Sequence, residues 1–303
     1  MKHCIRTALV VIPLVSFAAG LVVAAESIPF SLKRGIPEIE VIINDSIKAT
    51  FVIDTGADHV YIDKTFAEKH GLLSGRTQAM RPTRGSLGIS EAKLFRVESL
   101  KFGDISLSDL SMVAIDLVSQ IKDTSMGYPD GVLGYSFLKN YVIEIMYGGQ
   151  ETFNKDIEDS IFAHPFIKFH KNGFELPNYF IFEEIPFEIE RHLIIINATL
   201  NGLTTKRFIL DLGSSYSLFS PNLVQELKLK NNSGYLSIDS IKLDAVLAKS
   251  ENVRVLERDM GKLNHEVANL NIEGVLGTTF LIDNYLFIDF SKKKIFFAVL
   301  PVY

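Results

Sequence analysis

The sequence predicts an all-β protein made of two lobes that share one plan. Short runs rich in Val, Ile, Phe and Tyr alternate with turn residues along the chain, which is typical of strands joined by tight connections. Motifs of the first half return in the second half at a fixed spacing, so the chain contains an internal repeat. Each copy also sets an Asp-x-Gly turn directly after an apolar strand, at Asp54 and at Asp211. A chain of 303 residues is long enough for two such lobes.

The repeat keeps strict register over the first part of each copy. Segments and single residues recur 157 positions later. The pairs are Ile28-Pro29-Phe30 with Ile185-Pro186-Phe187, Arg34 with Arg191, Ile39 with Ile196, and Asn44 with Asn201. Later markers, Gly131 to Gly134 and Phe137, return as Gly274 to Gly277 and Phe280 at a spacing of 143. The second copy is therefore shorter between the two sets of markers.

Each Asp-x-Gly turn follows the second strand of a predicted hairpin. In the first copy two apolar strands, 38–43 and 47–53, flank Asn44-Asp45. In the second copy the corresponding turn is Asn201-Gly202, a strong signal for a type I′ hairpin. An acid at the end of a buried strand is costly unless its charge is paired or used. Two such acids in matching contexts therefore suggest carboxylates that meet.

A short helix is predicted after each of these turns. The first runs from Asp63 to His70 and ends at Gly71, and the second runs from Pro221 to Leu227. Proline suits a first helical turn and glycine suits a C-terminal cap. Both copies therefore follow the order strand, turn, strand, Asp-x-Gly, helix.

The signal for export lies in the first 25 residues. Lys2 and Arg6 precede an apolar run, and Val23-Ala24-Ala25 offers small residues at the cleavage position of a secretory signal peptide. An uncleaved membrane anchor is the alternative, although the run is short for a membrane span and contains Pro13. Cleavage would remove Cys4, the one cysteine, so we expect an exported bacterial protein, periplasmic or extracellular.

The remaining chain is expected to divide into two lobes and a connection. The first lobe spans 26–153, the connection 154–184 and the second lobe 185–303. Within the connection, the aromatic stretch 162–182 is expected to form a hairpin that joins the lobes. Loss of Lys2 and Arg6 takes the formal net charge from −5 to −7. A mildly acidic surface argues against nucleic acid as a partner.

The residues around both turns resemble those of retropepsin-like aspartic proteases. The family pattern is two apolar residues, then Asp-Thr/Ser-Gly-Ala/Ser, and later a paired apolar-apolar-Gly. Asp54-Thr-Gly-Ala57 with Val132-Leu133-Gly134 fits it fully. A lone Asp-Thr-Gly is a weak signal, but strand context, downstream partner and repetition make this one specific over about residues 28–303. The resemblance implies two closed-barrel lobes related by pseudo-two-fold symmetry, the acid protease fold.

The resemblance also implies that Asp54 and Asp211 are the catalytic pair of an aspartic endopeptidase acting on peptides or unfolded proteins. Two carboxyl groups that share one proton can activate water and protonate the scissile carbonyl. Like charges this close resist joint ionisation, so the titration belongs to the pair. The mechanism indicates no cofactor and no metal, and the histidines at 70, 164, 170, 192 and 265 lack metal-ligand spacing. We expect a monomer, with no stable membrane insertion after signal cleavage.

The same resemblance assigns supporting roles near the pair. Gly56 and Gly213 let the backbone turn beneath the carboxylates and donate N–H bonds to them. Thr55 ties the lobes together through its hydroxyl, whereas Leu212 stands at the matching position and has none. Ser214 matches a position where pepsin-like members place a hydroxyl that bonds the outer oxygen of the aspartate. Leu212 therefore favours the alternative function, a catalytically inactive peptide-binding or scaffolding protein.

The first motif continues toward the substrate through Ala57 and Asp58. Asp58 resembles the acid that binds substrate backbone in retroviral members, but Tyr135 replaces the Arg that accompanies it there. A solvated loop acid is the equal alternative for Asp58. His59 is expected at the surface, because this mechanism requires no imidazole.

Only the first lobe is expected to carry a flap, the hairpin that folds over the substrate in this family. The interval 72–98 has 27 residues, whereas its counterpart 229–239 has 11. Gly85 and Gly88 supply a mobile tip within the expected flap, residues 78–95. An ordinary surface hairpin is the alternative.

Overall fold

The computed structural model describes twelve stretches of the chain. They are residues 25–75, 77–85, 88–120, 127–147, 164–171, 173–178, 180–232, 234–243, 246–249, 253–260, 270–282 and 284–301. Apart from Ala25, the expected signal peptide lies outside the described residues. None of the helices in these stretches is long and apolar enough to cross a membrane.

Strands dominate the described residues, as the alternation of apolar runs and turns predicts. In chain order they are β1 (Ile28–Pro29), β2 (Glu38–Ile43), β3 (Ile47–Ile53), β4 (Tyr61–Asp63), β5 (Gln78–Gly85), β6 (Gly88–Phe102), β7 (Ile105–Ile115), β8 (Gly131–Leu133), β9 (Tyr141–Met146), β10 (Phe166–Lys171), β11 (Phe180–Pro186), β12 (Glu188–Glu190), β13 (Leu193–Leu200), β14 (Thr204–Leu210), β15 (Ser217–Phe219), β16 (Asn231–Asn232), β17 (Tyr235–Ile238), β18 (Ile241–Leu243), β19 (Val246–Lys249), β20 (Val253–Glu257), β21 (Ile272–Leu276), β22 (Tyr285–Asp289) and β23 (Lys294–Pro301). The helices are α1 (Lys64–Lys69), α2 (Tyr135–Leu138), α3 (Pro221–Glu226) and α4 (Thr278–Leu281), with a 3-10 turn at Val118–Gln120. The all-β prediction is confirmed.

The first lobe is a closed six-stranded barrel. Its strands follow the order β2-β3-β8-β4-β7-β6, and β6 pairs back onto β2 to close the ring. Along β2, Ile39, Val41 and Ile43 are buried while Glu40 and Ile42 are exposed. This two-residue alternation is what a barrel wall requires, since one face lines the core and the other meets solvent. β5 pairs with β6 as the first strand of a long hairpin.

The second lobe repeats this order. β13-β14-β21-β15-β20 correspond to β2-β3-β8-β4-β7, including the parallel pairing of β14 with β21 that matches β3 with β8. The counterpart of β6 is divided into β17 and β18 by Asp239-Ser240. β17 pairs with β20, and β18 pairs with β13 as β6 pairs with β2. The two-lobed plan predicted from the repeat is therefore confirmed.

A six-stranded sheet of order β1-β10-β9-β22-β23-β11 takes three strands from each half. Its centre is the antiparallel pair β9 and β22, which are the strands that follow Phe137 and Phe280. Its two edges carry the repeat partners Ile28-Pro29 and Ile185-Pro186. The strand order is thus symmetric about its centre, as a pseudo-two-fold axis between the copies requires.

The prediction that residues 162–182 form one hairpin is wrong. Two strands form there, but β10 pairs with β9 while β11 pairs with β23. The β9–β10 hairpin is the counterpart of β22–β23, so 166–171 completes the first copy. The composition identified both strands, but their partners are set by the non-local assembly of the sheet, which a local pattern does not encode.

Glu144 of β9 connects the two halves of this sheet through a buried polar cluster. Its Oε1 accepts from Lys168 Nζ at 3.0 Å and from the Tyr285 hydroxyl of β22 at 2.9 Å, and its Oε2 lies 2.6 Å from His170 Nε2. Burial raises the pKa of Glu144, but these hydrogen bonds outweigh burial, and the net pKa lies below the usual value for Glu.

Candidate active site

Strands β3 and β14 deliver the two aspartates to one point between the lobes. The N–H of Asp54 donates to the carbonyl of Leu133 at 3.1 Å, and the N–H of Asp211 donates to the carbonyl of Leu276 at 3.0 Å. Each Asp-x-Gly turn is therefore anchored to the apolar-apolar-Gly segment of its own lobe. This bond explains why the two motifs occur together in both copies.

Glycine at the end of that segment allows the turn to approach it. A Cβ at Gly277 would lie 2.5 Å from the carbonyl oxygens of Ser214 and Tyr216, and one at Gly134 would overlap the carbonyl of His59. Side chains are therefore excluded at both positions by the backbone of the turn itself.

The carboxyl groups of Asp54 and Asp211 meet between the lobes, and each lies against the turn glycine of the other lobe. Gly56 N–H donates to Asp54 Oδ1 at 2.7 Å and lies 3.2 Å from Asp211 Oδ1. Ala57 N–H donates to Asp54 Oδ1 at 3.0 Å, and Gly213 N–H donates to Asp211 Oδ1 at 2.8 Å. The expected glycine N–H bonds are thus present, and Gly56 contacts both carboxyl groups.

The environment favours retention of a proton by the pair. Burial raises the pKa of Asp54, and repulsion from Asp211 raises it further. Burial also raises the pKa of Asp211, although hydrogen bonds from Gly213 and Asp54 offset part of the increase. One carboxyl group can therefore accept a proton while its partner donates one, at pH values where an exposed aspartate is ionised.

The Thr55 hydroxyl of the first lobe makes two hydrogen bonds to the backbone of the second lobe, and these form a cross-brace between the lobes. Its Oγ1 donates to the carbonyl of Leu210 at 3.1 Å and accepts from the N–H of Leu212 at 3.0 Å. The Leu212 side chain is fully buried in the main apolar core. The second lobe therefore contributes backbone groups to this brace but no hydroxyl.

The expected role of Ser214 is wrong. Its hydroxyl donates to the carbonyl of Tyr216 at 2.8 Å rather than to Asp211. A serine hydroxyl readily bonds backbone two residues ahead in a turn, and this local bond wins here. Asp58 accepts from the Tyr61 hydroxyl and lies 3.6 Å from His59 Nε2, and both side chains of this acid–histidine pair are about 40% exposed.

The hairpin β5–β6 occupies the place expected for the flap. Gly85 pairs with Gly88 at its end. Nearer its base, Ala92 and Leu94 of β6 belong to the same apolar cluster as Ala57, the neighbour of the Asp54 turn. The base of the hairpin therefore packs on the wall that carries Asp54.

The second lobe also has a hairpin at this place, contrary to our expectation that only the first lobe carries one. Asn231–Asn232 pairs with β17, and Asn231 Oδ1 accepts from Gly234 N–H at 2.9 Å to close the turn. Gly234 has φ +92°, a conformation that favours glycine. The first strand of this hairpin has two residues, whereas β5 has eight. The asymmetry between the lobes is therefore one of length.

Two side chains beside the pair escaped sequence reasoning. His192 Nε2 lies 3.0 Å from the carbonyl oxygen of Gly56. The buried Tyr147 hydroxyl lies beside Thr278. Burial, and to a smaller extent Asp211, raises the pKa of Tyr147. The repeat offered a signal for His192 only, because it places this histidine at the position that Gly35 occupies 157 residues earlier.

A protein-family model described as aspartyl protease matches the chain in two segments, 39–137 and 196–280. Together they span more than half of the chain. They begin at the repeat partners Ile39 and Ile196 and end at the partners Phe137 and Phe280. A search of curated proteins found no match to the chain.

Proposed function

Since the chain belongs to the aspartyl protease family, we propose that it is an aspartic endopeptidase whose catalytic pair is Asp54 and Asp211. The observation that carries this proposal is the meeting of two carboxyl groups, one from each lobe, each against the turn glycine of the other lobe. Gly56 N–H, within 3.2 Å of both, fixes their relative position. Such a pair suits general acid–base chemistry, because positioned groups exchange protons with the reacting atoms.

In this mechanism the ionised carboxyl group removes a proton from a water molecule, whose oxygen attacks the carbonyl carbon of the peptide bond. The protonated carboxyl group transfers its proton to the carbonyl oxygen, which gives a gem-diol. The carboxyl group that now carries a proton gives it to the amide nitrogen, while the ionised one takes a proton from a hydroxyl of the gem-diol. The C–N bond breaks, and an amine and a carboxyl terminus are released. The pair ends with one proton, as it began.

The alternative is a catalytically inactive peptide-binding protein, and Leu212 is the observation that favours it. The loss of one hydroxyl removes a positioning group and no reacting group. Thr55 keeps both of its bonds to the other lobe, including one to the N–H of Leu212. We therefore favour catalysis.

The test is cleavage of an unfolded protein and a mixed peptide library, read by mass spectrometry from mildly acidic to neutral pH. Residues 26–303 are compared with Asp54→Asn and Asp211→Asn. Asp239→Asn, an exposed acid of the second lobe, is the matched control. We expect cleavage by the unmodified protein and by the control only. Peptide binding by all four proteins with cleavage by none would establish the alternative.

We also propose that substrates bind in extended form, through backbone hydrogen bonds to the cleft and to the β5–β6 hairpin.

The proposed export of the protein rests on the N-terminal pattern. Expression of the full chain in a bacterial host, with fractionation and N-terminal sequencing, tests it. A mature chain that begins at Glu26 outside the cytoplasm supports export. An intact N-terminus in the membrane fraction supports the anchor.

A further inference from the structure

The segment that begins at each catalytic-pair aspartate, called here the Asp54 loop and the Asp211 loop, is contacted by a turn from the opposite lobe. The turn at 32–37, before β2, contacts the Asp211 loop through Ser215. The turn between β12 and β13 contacts the Asp54 loop through His192. Gly35 and His192 are partners in the 157-residue repeat, so the two contacts are related by the pseudo-symmetry of the chain.

In the first contact, the donor comes from the Asp loop. Ser215 Oγ donates to the carbonyl of Arg34 at 2.8 Å. Gly35 has φ +73°, and a Cβ there would lie 3.2 Å from Ser215 Cβ. The turn therefore presents backbone only, and the loop supplies the side chain.

In the second contact, the donor has to come from the turn. Asp58 is the repeat partner of Ser215, and a carboxylate has no proton to give to a carbonyl. Its oxygens instead accept from Tyr61. His192, on the turn, supplies the missing donor to the Gly56 carbonyl at 3.0 Å. Because a carbonyl oxygen only accepts, Nε2 of His192 carries the proton.

The bond acts on the peptide unit that orients Asp54. The carbonyl of Gly56 and the N–H of Ala57 belong to one peptide group. Its oxygen accepts from His192, and its N–H donates to Asp54 Oδ1 at 3.0 Å. Hydrogen bonds at the two ends of a peptide group polarise one another and fix its plane. His192 therefore acts on the carboxyl group through one rigid peptide.

We propose that His192 is a positioning residue that braces the Asp54 loop from the second lobe, in place of the hydroxyl that Leu212 lacks. The inference rests on the proposed function and deepens it, since it concerns the same carboxyl pair. His192 contacts neither water nor substrate in this role. The geometry of Asp54 depends on it, and so does the rate of the proton transfers.

The kinetic test compares His192→Leu with His192→Gln. Gln places an amide N–H near the position of Nε2, whereas Leu keeps the bulk and removes the donor. We expect His192→Leu to lower kcat about tenfold, equivalent to about 1.4 kcal/mol, with KM changed less than twofold. His192→Gln should recover most of the loss. His164→Leu, which removes an exposed histidine, is the control. A change in KM alone, or equal loss in both His192 variants, would overturn the brace.

A second measurement does not need activity. Amide hydrogen exchange of Ala57, read by NMR, should be faster in His192→Leu than in His192→Gln, because the peptide loses its opposing bond. Unchanged exchange would contradict the proposal even in an active enzyme. If the unmodified chain cleaves nothing but the exchange rates differ as expected, the proposed function fails and the brace stands. If His192→Leu does not fold, His192→Asn, whose amide is too short to reach Gly56, gives the same contrast.

Discussion

The backbone N–H of Gly56 lies 3.2 Å from Oδ1 of Asp211, across the boundary between the lobes. The same N–H donates to Asp54 Oδ1 at 2.7 Å. One amide N–H thus contacts both carboxyl groups. A hydrogen bond therefore links the Asp54 turn directly to the carboxyl group of the second lobe.

Neighbouring atoms approach Gly56 and Gly213 so closely that we expect neither position to tolerate a side chain. A Cβ at Gly213 would overlap the Asp54 carboxyl group, and one at Gly56 would lie 2.9 Å from Asp211 Oδ2. Gly213→Ala should lower the free energy of unfolding by about 1–3 kcal/mol, as overpacking does, and reduce cleavage below detection. Urea denaturation and the peptide assay measure both. Gly75→Ala is the control, because its Cβ would meet nothing within 4 Å. Full activity in Gly213→Ala would show that the glycine is not required.

The raised pKa of Asp54 predicts a stability that falls with rising pH. The unfolded chain loses this proton near the ordinary Asp value of about 3.9, while the folded chain keeps it, so ionisation is progressively penalised above that value. Asp54→Asn should therefore be more stable than the unmodified protein at neutral pH, because it removes one of the two buried carboxyl groups whose ionisation the folded state penalises. The gap should vanish near pH 3. Urea midpoints across pH 3–8 test this, and parallel curves would contradict it.

The Glu144 cluster predicts the opposite pH dependence. Because its pKa is lowered in the folded protein, its stabilisation is present above the ordinary Glu value of about 4.3 and is lost as the pH falls through the folded value. Glu144→Gln should cost about 2–4 kcal/mol at neutral pH, since it leaves buried donors poorly paired. Tyr285→Phe, which removes one donor, should cost about 1 kcal/mol. Equal stability of Glu144→Gln and the unmodified protein at pH 7 would mean that the Glu144 carboxylate does not stabilise the fold.

The missing hydroxyl at position 212 predicts a coupling with His192. Leu212 is fully buried, so Leu212→Thr should cost about 2 kcal/mol of stability through lost apolar volume. In the His192→Leu background the new hydroxyl should nevertheless raise kcat, because it can restore a side-chain brace to the Asp54 loop. The double variant is compared with both single variants under conditions where all are folded. Additive effects on kcat would show that positions 212 and 192 do not serve one loop.

The parts of this structure that the sequence revealed are those encoded locally and twice. The Asp-x-Gly turns, their glycines and the paired Gly134 and Gly277 each follow a strand pattern, and the repeat relates one set to the other. What the sequence did not reveal depends on distant partners. The choice of β9 by β10 and the bond from His192 to Gly56 join residues 20 or more positions apart. The Ser214 hydroxyl was misassigned because a neighbouring carbonyl outcompeted the carboxylate.

The most direct measurement is a double-substitution cycle on the pair. kcat/KM for one peptide substrate is determined for Asp54→Asn, Asp211→Asn and the variant carrying both changes. Groups that act as one unit give non-additive losses, so each single substitution should fall to the same floor as the double. Cleavage that survives Asp211→Asn, or losses that add, would show that the two lobes do not form one catalytic pair.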